Sequence, residues 1–169
     1  SVAAAYLFVC LFERVFRWGR RMGEHYAMTA QRDGRMVAFT ALADTGNRLT
    51  EPFSGAPMVV LDAGRGRALL TEQEARWLDS GMTQGEPPPG LRVVPCRTIT
   101  GEGMLTAFRP QSLQVQVGKR WVEVEGYIAL LPGERCPDGC QGIFHPGLIQ
   151  LAAEEKRERE GGTVHHGGR

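Results

Sequence analysis

A short apolar run that stops at a turn constrains the fold of this chain most. Met36 to Ala43 (MVAFTALA) is rich in residues that favour strands, and the segment DTGN (residues 44–47) follows it directly. Aspartate, glycine and asparagine clustered in this way end a strand. The pattern therefore predicts a buried strand with an aspartate at its end.

Several other segments repeat the strand pattern and predict a mainly β domain. They are PMVVLD (57–62), LRVVPC (91–96), LQVQV (113–117), WVEVE (121–125), YIALL (127–131) and GIF (142–144). LQVQV and WVEVE alternate with period two across Gly118 and Lys119, which predicts a hairpin with one solvated face.

Two segments carry helix signals. Thr71 to Leu78 (TEQEARWL) has Thr71 at an N-cap position, Glu74 three residues later and Gly81 beyond its end. This is the pattern of a capping box and a glycine stop, and it predicts a short helix. Leu148 to Glu160 has helical spacing and predicts a second one.

The N-terminal region differs from the rest of the chain. Val2 to Phe12 is unbroken apolar sequence, and four arginines with interleaved aromatic residues follow it within residues 14–21. This order is typical of a spanning helix that leaves the bilayer on its cytoplasmic face. Residues 1–21 are therefore expected to hold the end of a truncated transmembrane helix and a basic juxtamembrane segment, the alternative being a buried or interfacial amphipathic helix.

The remaining boundaries follow from these elements. Residues 22–35 are interpreted as a linker, residues 36–160 as one β domain and the glycine-rich residues 161–169 as a disordered tail. The loop QGEPPPG (84–90) is interpreted as an insertion within the domain.

Charge and cysteine content exclude several classes of protein. The 169 residues carry 20 basic and 19 acidic side chains, a net charge of +1. No broadly basic surface for nucleic acid is expected from that balance. Four cysteines are too few and too scattered for a disulfide framework in a chain of this length, so a reducing compartment fits best.

A metal site is the weaker interpretation of the C-terminal cysteines. Cys136, Cys140 and His145 lie within ten positions, and thiolates and imidazole are zinc ligands. A closed zinc site needs a fourth ligand, which Cys96 would have to supply from far away in sequence. We therefore expect reduced thiols, with no metal and no cofactor.

The tripeptide at residues 44–46 can carry chemistry. A strand can hold Asp44 rigidly, Gly46 lets the backbone approach the carboxylate, and the hydroxyl of Thr45 can fasten the turn. The preceding apolar residues predict a dry setting, in which a carboxylate needs a partner. The same tripeptide also occurs where a strand merely ends, so by itself it leaves both interpretations open.

Longer segments resemble a known family. FTALADTGN resembles the active-site loop of aspartic proteases, and NRLTEPFSGAPMVVLD is similar to the sporulation sigma-E factor processing peptidases, the membrane-bound aspartic proteases of spore-forming Firmicutes. The similarity continues through RVVPCRTITGEGMLTAFRP and GIFHPGLI, so that it covers residues 36–150 in order. It implies a retroviral-protease-like β-barrel, the equivalent of half a pepsin, with one or two short helices.

The resemblance also implies roles for individual residues. Asp44 would be the catalytic carboxylate, Thr45 would brace one loop against the same loop of a second copy, and Gly46 would contact the carboxylate. Asn47 completes the loop. The glycine-rich tip of a flap hairpin at 96–108 would fold over the bound peptide, and its candidate substrate contacts are Thr100, Gly101, Glu102, Gly103 and Met104.

The function implied is removal of the pro-sequence from a membrane-associated sigma-factor precursor during sporulation. The implied partners are that precursor, a second copy in a homodimer, the membrane and an activating signalling protein from outside the cytoplasm or between two membranes. The full-length protein would be multi-pass in the cell membrane, with the protease domain on the cytoplasmic side. The alternative function is a non-catalytic, membrane-tethered β-barrel that binds a partner.

Overall fold

The structure is a computed structural model that describes residues 23–82, 85–98, 101–132 and 139–153. These residues contain nine strands in a single sheet, in the order β4-β5-β8-β3-β9-β2-β1-β6-β7. The strands are β1 (His25–Arg32), β2 (Arg35–Ala43), β3 (Met58–Asp62), β4 (Arg92–Thr98), β5 (Gly101–Phe108), β6 (Ser112–Val117), β7 (Arg120–Glu123), β8 (Tyr127–Leu131) and β9 (Gly142–Phe144). The prediction of a mainly β fold is confirmed, and closure into a barrel stays a prediction.

Short helices decorate the sheet. α1 (Ala63–Gly66) and a 3-10 turn (Arg67–Leu69) follow β3, α2 (Glu72–Asp79) comes next, and residues 147–153 are also helical. The predicted capping box is present, because the amide of Glu74 donates to the Thr71 hydroxyl and the Glu74 side chain accepts from the Thr71 amide.

Strand β9 is inserted between β2 and β3, which are consecutive in the chain. It pairs in parallel with β2, where Ala43 lies opposite Phe144, and antiparallel with β3, where Leu61 lies opposite Gly142. A Cβ atom on Gly142 would lie 3.1 Å from the carbonyl oxygen of Val60. The strands can therefore approach this closely only because residue 142 is glycine.

Most buried apolar side chains form one core on the face of the sheet that carries α2. Its largest fully buried members are Phe108, Phe144, Met28, Leu61, Leu69, Leu113, Ile128 and Leu130, and Trp77 of α2 packs against them. A second buried cluster comprises Met58, Val94, Leu105, Ala107, Tyr127 and Ala129. Because both clusters draw on β8, that strand is buried at four of its five positions.

The interpretation of residues 22–35 as a linker is wrong. Residues 25–32 form β1, which pairs with β2 along its whole length and with β6 on its other side. Arg32 lies at an inward position of β1, and its buried guanidinium forms an ion pair with Glu74. An arginine at an inward position breaks the apolar alternation by which a strand is recognised in sequence.

Other expectations fall on residues that the structure does not describe. The predicted end of a transmembrane helix and the predicted tail both lie outside the described residues. Among the residues that are described, no helix combines the length and the apolar character needed to span a bilayer.

Candidate active site

Asp44 occupies the position predicted for it, directly after β2. Its backbone amide donates a 2.8 Å hydrogen bond to the carbonyl oxygen of Phe144, which extends the pairing of β2 with β9 by one residue. The side chain is half-buried, and Thr45 and Gly46 beside it are exposed. Asp44 thus lies at the solvent boundary, and the fully dry setting predicted from the preceding apolar residues is wrong.

The turn after Asp44 fixes the direction of its carboxylate. The amide of Gly46 donates to Asp44 Oδ1 at 2.8 Å, and the amide of Asn47 donates to the Asp44 carbonyl oxygen at 3.1 Å. A Cβ atom at residue 46 would lie 3.1 Å from the same Oδ1. Glycine is therefore needed for the close approach of backbone and carboxylate, as the sequence predicts.

Asn47 anchors the other side of the turn. Its side-chain amide donates to the carbonyl oxygen of Ile143 in β9 at 3.2 Å, and its Oδ1 accepts from the amide of Leu49 at 3.4 Å. The loop is thus attached to β9 at both Asp44 and Asn47. This double attachment limits rotation of the carboxylate relative to the sheet.

A second aspartate has the same local geometry. Asp62 ends β3, its Oδ1 accepts from the amide of Gly64 at 2.7 Å, and its own amide donates to the carbonyl oxygen of Gln141. Because β9 runs parallel to β2 and antiparallel to β3, Asp44 lies at the Phe144 end of β9 and Asp62 at the other end. Asp62 caps helix α1. The surroundings, and not the turn itself, distinguish the two carboxylates.

Next to the Asp44 turn lies a cavity of about 310 Å³, called here the inner groove. It is lined by Gly46, Asn47, Arg48, Leu49, Val60, Cys96, Leu105 and Leu131. Its walls therefore come from the turn, from the central strands β3 and β8, and from both arms of the β4–β5 hairpin. Apolar side chains dominate the interior, which suits a side chain of a bound peptide.

The β4–β5 hairpin contains the residues predicted to form a flap, but its end lies at different residues from those predicted. Thr98 pairs with Gly101 and Cys96 pairs with Gly103. The hairpin end therefore falls between Thr98 and Gly101, so Gly101, Glu102 and Gly103 belong to strand β5 and do not form the tip. Thr100 lies outside the described residues.

Individual residues of this hairpin differ in their relation to the groove. Met104 is half exposed and pairs with Pro95, whereas Leu105 is buried and lines the groove together with Cys96. A Cβ atom at Gly103 would lie 3.4 Å from the Cys96 sulfur, an ordinary contact. Among the described side chains of the hairpin, Leu105 and Cys96 line the inner groove.

A second cavity of about 450 Å³, called here the outer groove, lies on the other side of the same loop. It is lined by Asn47, Arg48, Leu49, Thr50, Pro57, His145, Gly147, Leu148, Gln150 and Leu151. Residues 47–49 thus form a wall between the two grooves.

A family model named Peptidase_U4, described as sporulation factor SpoIIGA, matches residues 1–147. The chain belongs to this family. The matched range includes the Asp44 turn, both arms of the hairpin and β9, and no curated protein matches the chain. Peptidase_U4 membership confirms the resemblance identified in the sequence and makes the chain a member of a sporulation-associated peptidase family.

The loop of this Peptidase_U4 chain is further supported by a buried carboxylate. Glu51 is completely buried, and it accepts hydrogen bonds from the hydroxyl and the amide of Ser54 and from the guanidinium of Arg92. The hydrogen bond from the Ser54 hydroxyl is the main cause that lowers the pKa of Glu51 to about 2, against the opposing effect of burial. The other hydrogen bonds to Glu51 lower its pKa further. At neutral pH an ionised Glu51 therefore fastens the segment between β2 and β3.

The cysteines predicted as possible zinc ligands do not form a metal cluster in the described part of the chain, which contains no group of three or more His, Cys, Asp or Glu residues suited to an ion. Cys140 is buried against Leu42 and Ile143, and Nδ1 of His145 accepts from the amide of Gly147. Cys136 lies outside the described residues.

Several groove residues were not predicted from the sequence. They are Arg48, Leu49, Val60, Leu105 and Leu131, together with the supporting pair Glu51 and Arg92. The only local signal was the position of Arg48 and Leu49 immediately after the turn. The rest are brought together by the pairing of β3 with β8 and of β8 with β5, which no short sequence pattern specifies.

Proposed function

We propose that this Peptidase_U4 chain is an aspartic endopeptidase whose catalytic carboxylate is Asp44. The observation that carries the proposal is the position of this carboxylate, which is fixed by the Gly46 amide beside a largely apolar groove. A carboxylate on a rigid support, next to a cleft that can hold a peptide side chain, is the arrangement that water activation in aspartic proteases requires.

The site requires two copies of the chain. An aspartic protease needs one ionised carboxylate and one protonated carboxylate. DTG occurs once in the sequence, and Asp62, the other aspartate whose Oδ1 accepts from the amide two residues later, lies at the opposite end of β9. We therefore infer that a second copy supplies the second aspartate, in a homodimer with two-fold symmetry.

The chemistry follows from the proximity of two like charges. Two carboxylates held close together share one proton, because ionisation of both is costly. The ionised Asp44 removes a proton from a water molecule, whose oxygen attacks the scissile carbonyl carbon. The protonated Asp44 of the other copy donates its proton to the carbonyl oxygen, which gives a gem-diol intermediate. The first Asp44 then gives its proton to the leaving nitrogen, the second takes a proton from one gem-diol hydroxyl, and the carbon–nitrogen bond breaks. The pair is left with one shared proton, as at the start. Thr45 would brace the two turns against each other.

The substrate and the location are inferred from the family resemblance. The substrate would be a sigma-factor precursor at the membrane, cut to remove its pro-sequence during sporulation. The protease domain would lie on the cytoplasmic side, tethered by the region that precedes it, and would be activated by a signalling protein from across the membrane.

The direct test compares two isosteric variants that have the same turn geometry. Asp44→Asn should abolish cleavage of a purified sigma-factor precursor, because an amide can neither take nor give the proton. Asp62→Asn should retain cleavage, because Asp62 lies at the other end of β9 and its amide replacement still caps α1. Circular dichroism and thermal unfolding would verify that both variants are folded.

Other outcomes would contradict the proposal. Full cleavage by folded Asp44→Asn would exclude Asp44 as the catalytic group. A wild-type chain that binds the precursor without cutting it would instead support the alternative function, a membrane-tethered binding module.

A further inference from the structure

Arg48 lies between the two grooves and lines both of them. It follows the Asp44 turn by four residues, is exposed, and belongs to the wall of residues 47–49 that separates the inner groove from the outer groove. No other arginine or lysine lines either groove within the described residues. A peptide that crosses this wall beside Asp44 would therefore pass close to Arg48.

The charge of Arg48 has no counter-ion in the described structure. Two arginines of the sheet differ from Arg48: Arg32 pairs with Glu74, and Arg92 pairs with Glu51. For Arg48 the described residues provide neither an ion pair nor a hydrogen bond, and neither groove has a carboxylate in its lining. Arg48 therefore presents five unoccupied N–H donors to whatever occupies the grooves.

We propose that Arg48 is a specificity residue that selects substrates with an acidic side chain close to the scissile bond, next to an apolar side chain that fills the inner groove. This inference rests on the proposed function of the Asp44 site and names its substrate class. A guanidinium and a carboxylate form two parallel charge-assisted hydrogen bonds, a geometry that neither amides nor hydroxyls reproduce.

The apolar part of the preference follows from the inner groove itself. Val60, Leu105 and Leu131 provide its interior, and a cavity of about 310 Å³ admits one medium-sized side chain of a peptide. Because Arg48 lies at the rim of the same cavity, the acidic and the apolar residue of the substrate should be neighbours or near neighbours in its sequence.

The experiment profiles cleavage of a mixed peptide library and of the sigma-factor precursor, with products identified by mass spectrometry. Wild-type chain, Arg48→Gln and Arg48→Glu are compared. Arg35→Gln is the matched control, because Arg35 is an exposed arginine at the opposite end of β2 from Asp44. Thermal unfolding of each variant verifies the fold.

The expected wild-type products are enriched in aspartate or glutamate at one position near the cut. Against a matched pair of Glu and Gln peptides, Arg48→Gln should lose about three- to tenfold in kcat/KM on the Glu peptide and nothing on the Gln peptide. This loss should appear as an increase in KM, because Arg48 does not contact the reacting atoms. Arg48→Glu should prefer the Lys peptide, and Arg35→Gln should match the wild type.

The contradicting results are distinct. A wild-type enzyme that cleaves without acidic preference, or an Arg48→Gln variant that retains that preference, would overturn this inference and leave the proposed function intact. If Arg48→Glu were inactive on all peptides, the comparison of Arg48→Gln with the wild type on the Glu and Gln peptides would still test the inference. Absence of any cleavage by the wild type would overturn the proposed function and this inference with it.

Discussion

The amide of Asp44 and the carbonyl oxygen of Phe144 are joined by a 2.8 Å hydrogen bond, although the two residues are 100 positions apart in sequence. Through this bond and the contact of Asn47 with Ile143, the candidate catalytic turn is positioned by β9. The geometry of the site therefore depends on the insertion of β9 between β2 and β3. Substitutions that displace the turn should affect activity more than stability.

Gly46→Ala is the first such substitution. The new Cβ atom would lie 3.1 Å from Asp44 Oδ1, so the carboxylate must shift by a few tenths of an ångström. We expect kcat to fall by about tenfold, since a misplacement of about 1 Å can cost a factor of 10². The melting temperature should change little, because residue 46 is exposed.

Gly64→Ala is its matched control. Its Cβ atom would lie at the same 3.1 Å from Oδ1 of Asp62, in the same kind of turn but at the other end of β9. Steady-state cleavage assays should give wild-type kcat for Gly64→Ala. Equal loss in the two variants would indicate a general effect of the turn on folding.

The buried ion pair between Arg32 and Glu74 should be important for stability. It is bidentate, with distances of 2.8 and 2.6 Å, and both side chains are less than 10% exposed. Glu74→Ala would leave the buried Arg32 guanidinium with only the exposed Asp33 carboxylate, 3.9 Å away, and would remove the capping box. The expected cost is about 3–5 kcal/mol. Chemical denaturation should give this loss for Glu74→Ala and almost none for Glu72→Ala, an exposed glutamate of the same helix.

The depressed pKa of Glu51 predicts a loss of stability in acid. The folded value is about 2 and the unfolded value is about 4.3. The contribution of the ionised group is therefore complete above the unfolded pKa, and it is lost as pH falls from about 4.3 towards 2. The difference in melting temperature between the wild type and Glu51→Gln should be largest above about pH 5, and it should decrease as the pH falls from about 4.3 towards 2.

The control for this titration is Glu86→Gln, in an exposed loop. Its melting temperature should follow that of the wild type at every pH. A gap between wild type and Glu51→Gln that stays constant from neutral pH to about pH 3 would contradict the role of Glu51 ionisation.

The β4–β5 hairpin should be protected by bound substrate. Cys96 and Leu105 line the inner groove, so a peptide there would contact both arms. Amide hydrogen exchange of the folded Asp44→Asn chain should slow near Thr98 and Gly101 when a substrate peptide is added. The β6–β7 hairpin, at the other edge of the sheet, should exchange at an unchanged rate. Identical exchange of both hairpins with and without peptide would exclude a flap.

Local signals in the sequence predicted local structure well. Thr71 and Glu74 specify their helix through contacts three residues apart, and the run before Asp44 specifies β2 through its own apolar content. The turn at Gly46 was also predictable, because the approach of its amide to Asp44 involves only neighbouring residues.

Features that depend on distant residues were not predictable in this way. β1 was missed because its inward Arg32 is compensated by Glu74, 42 positions later. The glycines of the hairpin suggested a tip at 101–103, but the pairing of Cys96 with Gly103 shifts the end of the hairpin. The inner groove could not be read from sequence because its lining comes from four separate strands.

The central claim is that Asp44 provides half of a site that two copies complete, and mixing of chains tests it most directly. Wild-type chain is mixed with increasing amounts of folded Asp44→Ala chain, and precursor cleavage is measured per wild-type chain. As a control, the Asp62→Asn chain added in the same amounts should raise total cleavage in proportion. We expect an equal amount of Asp44→Ala chain to lower activity per wild-type chain to about half, and a threefold excess to about a quarter, because random pairing produces inactive mixed dimers. Activity per wild-type chain that stays constant at every ratio would mean that one chain holds a complete site, and would contradict the account.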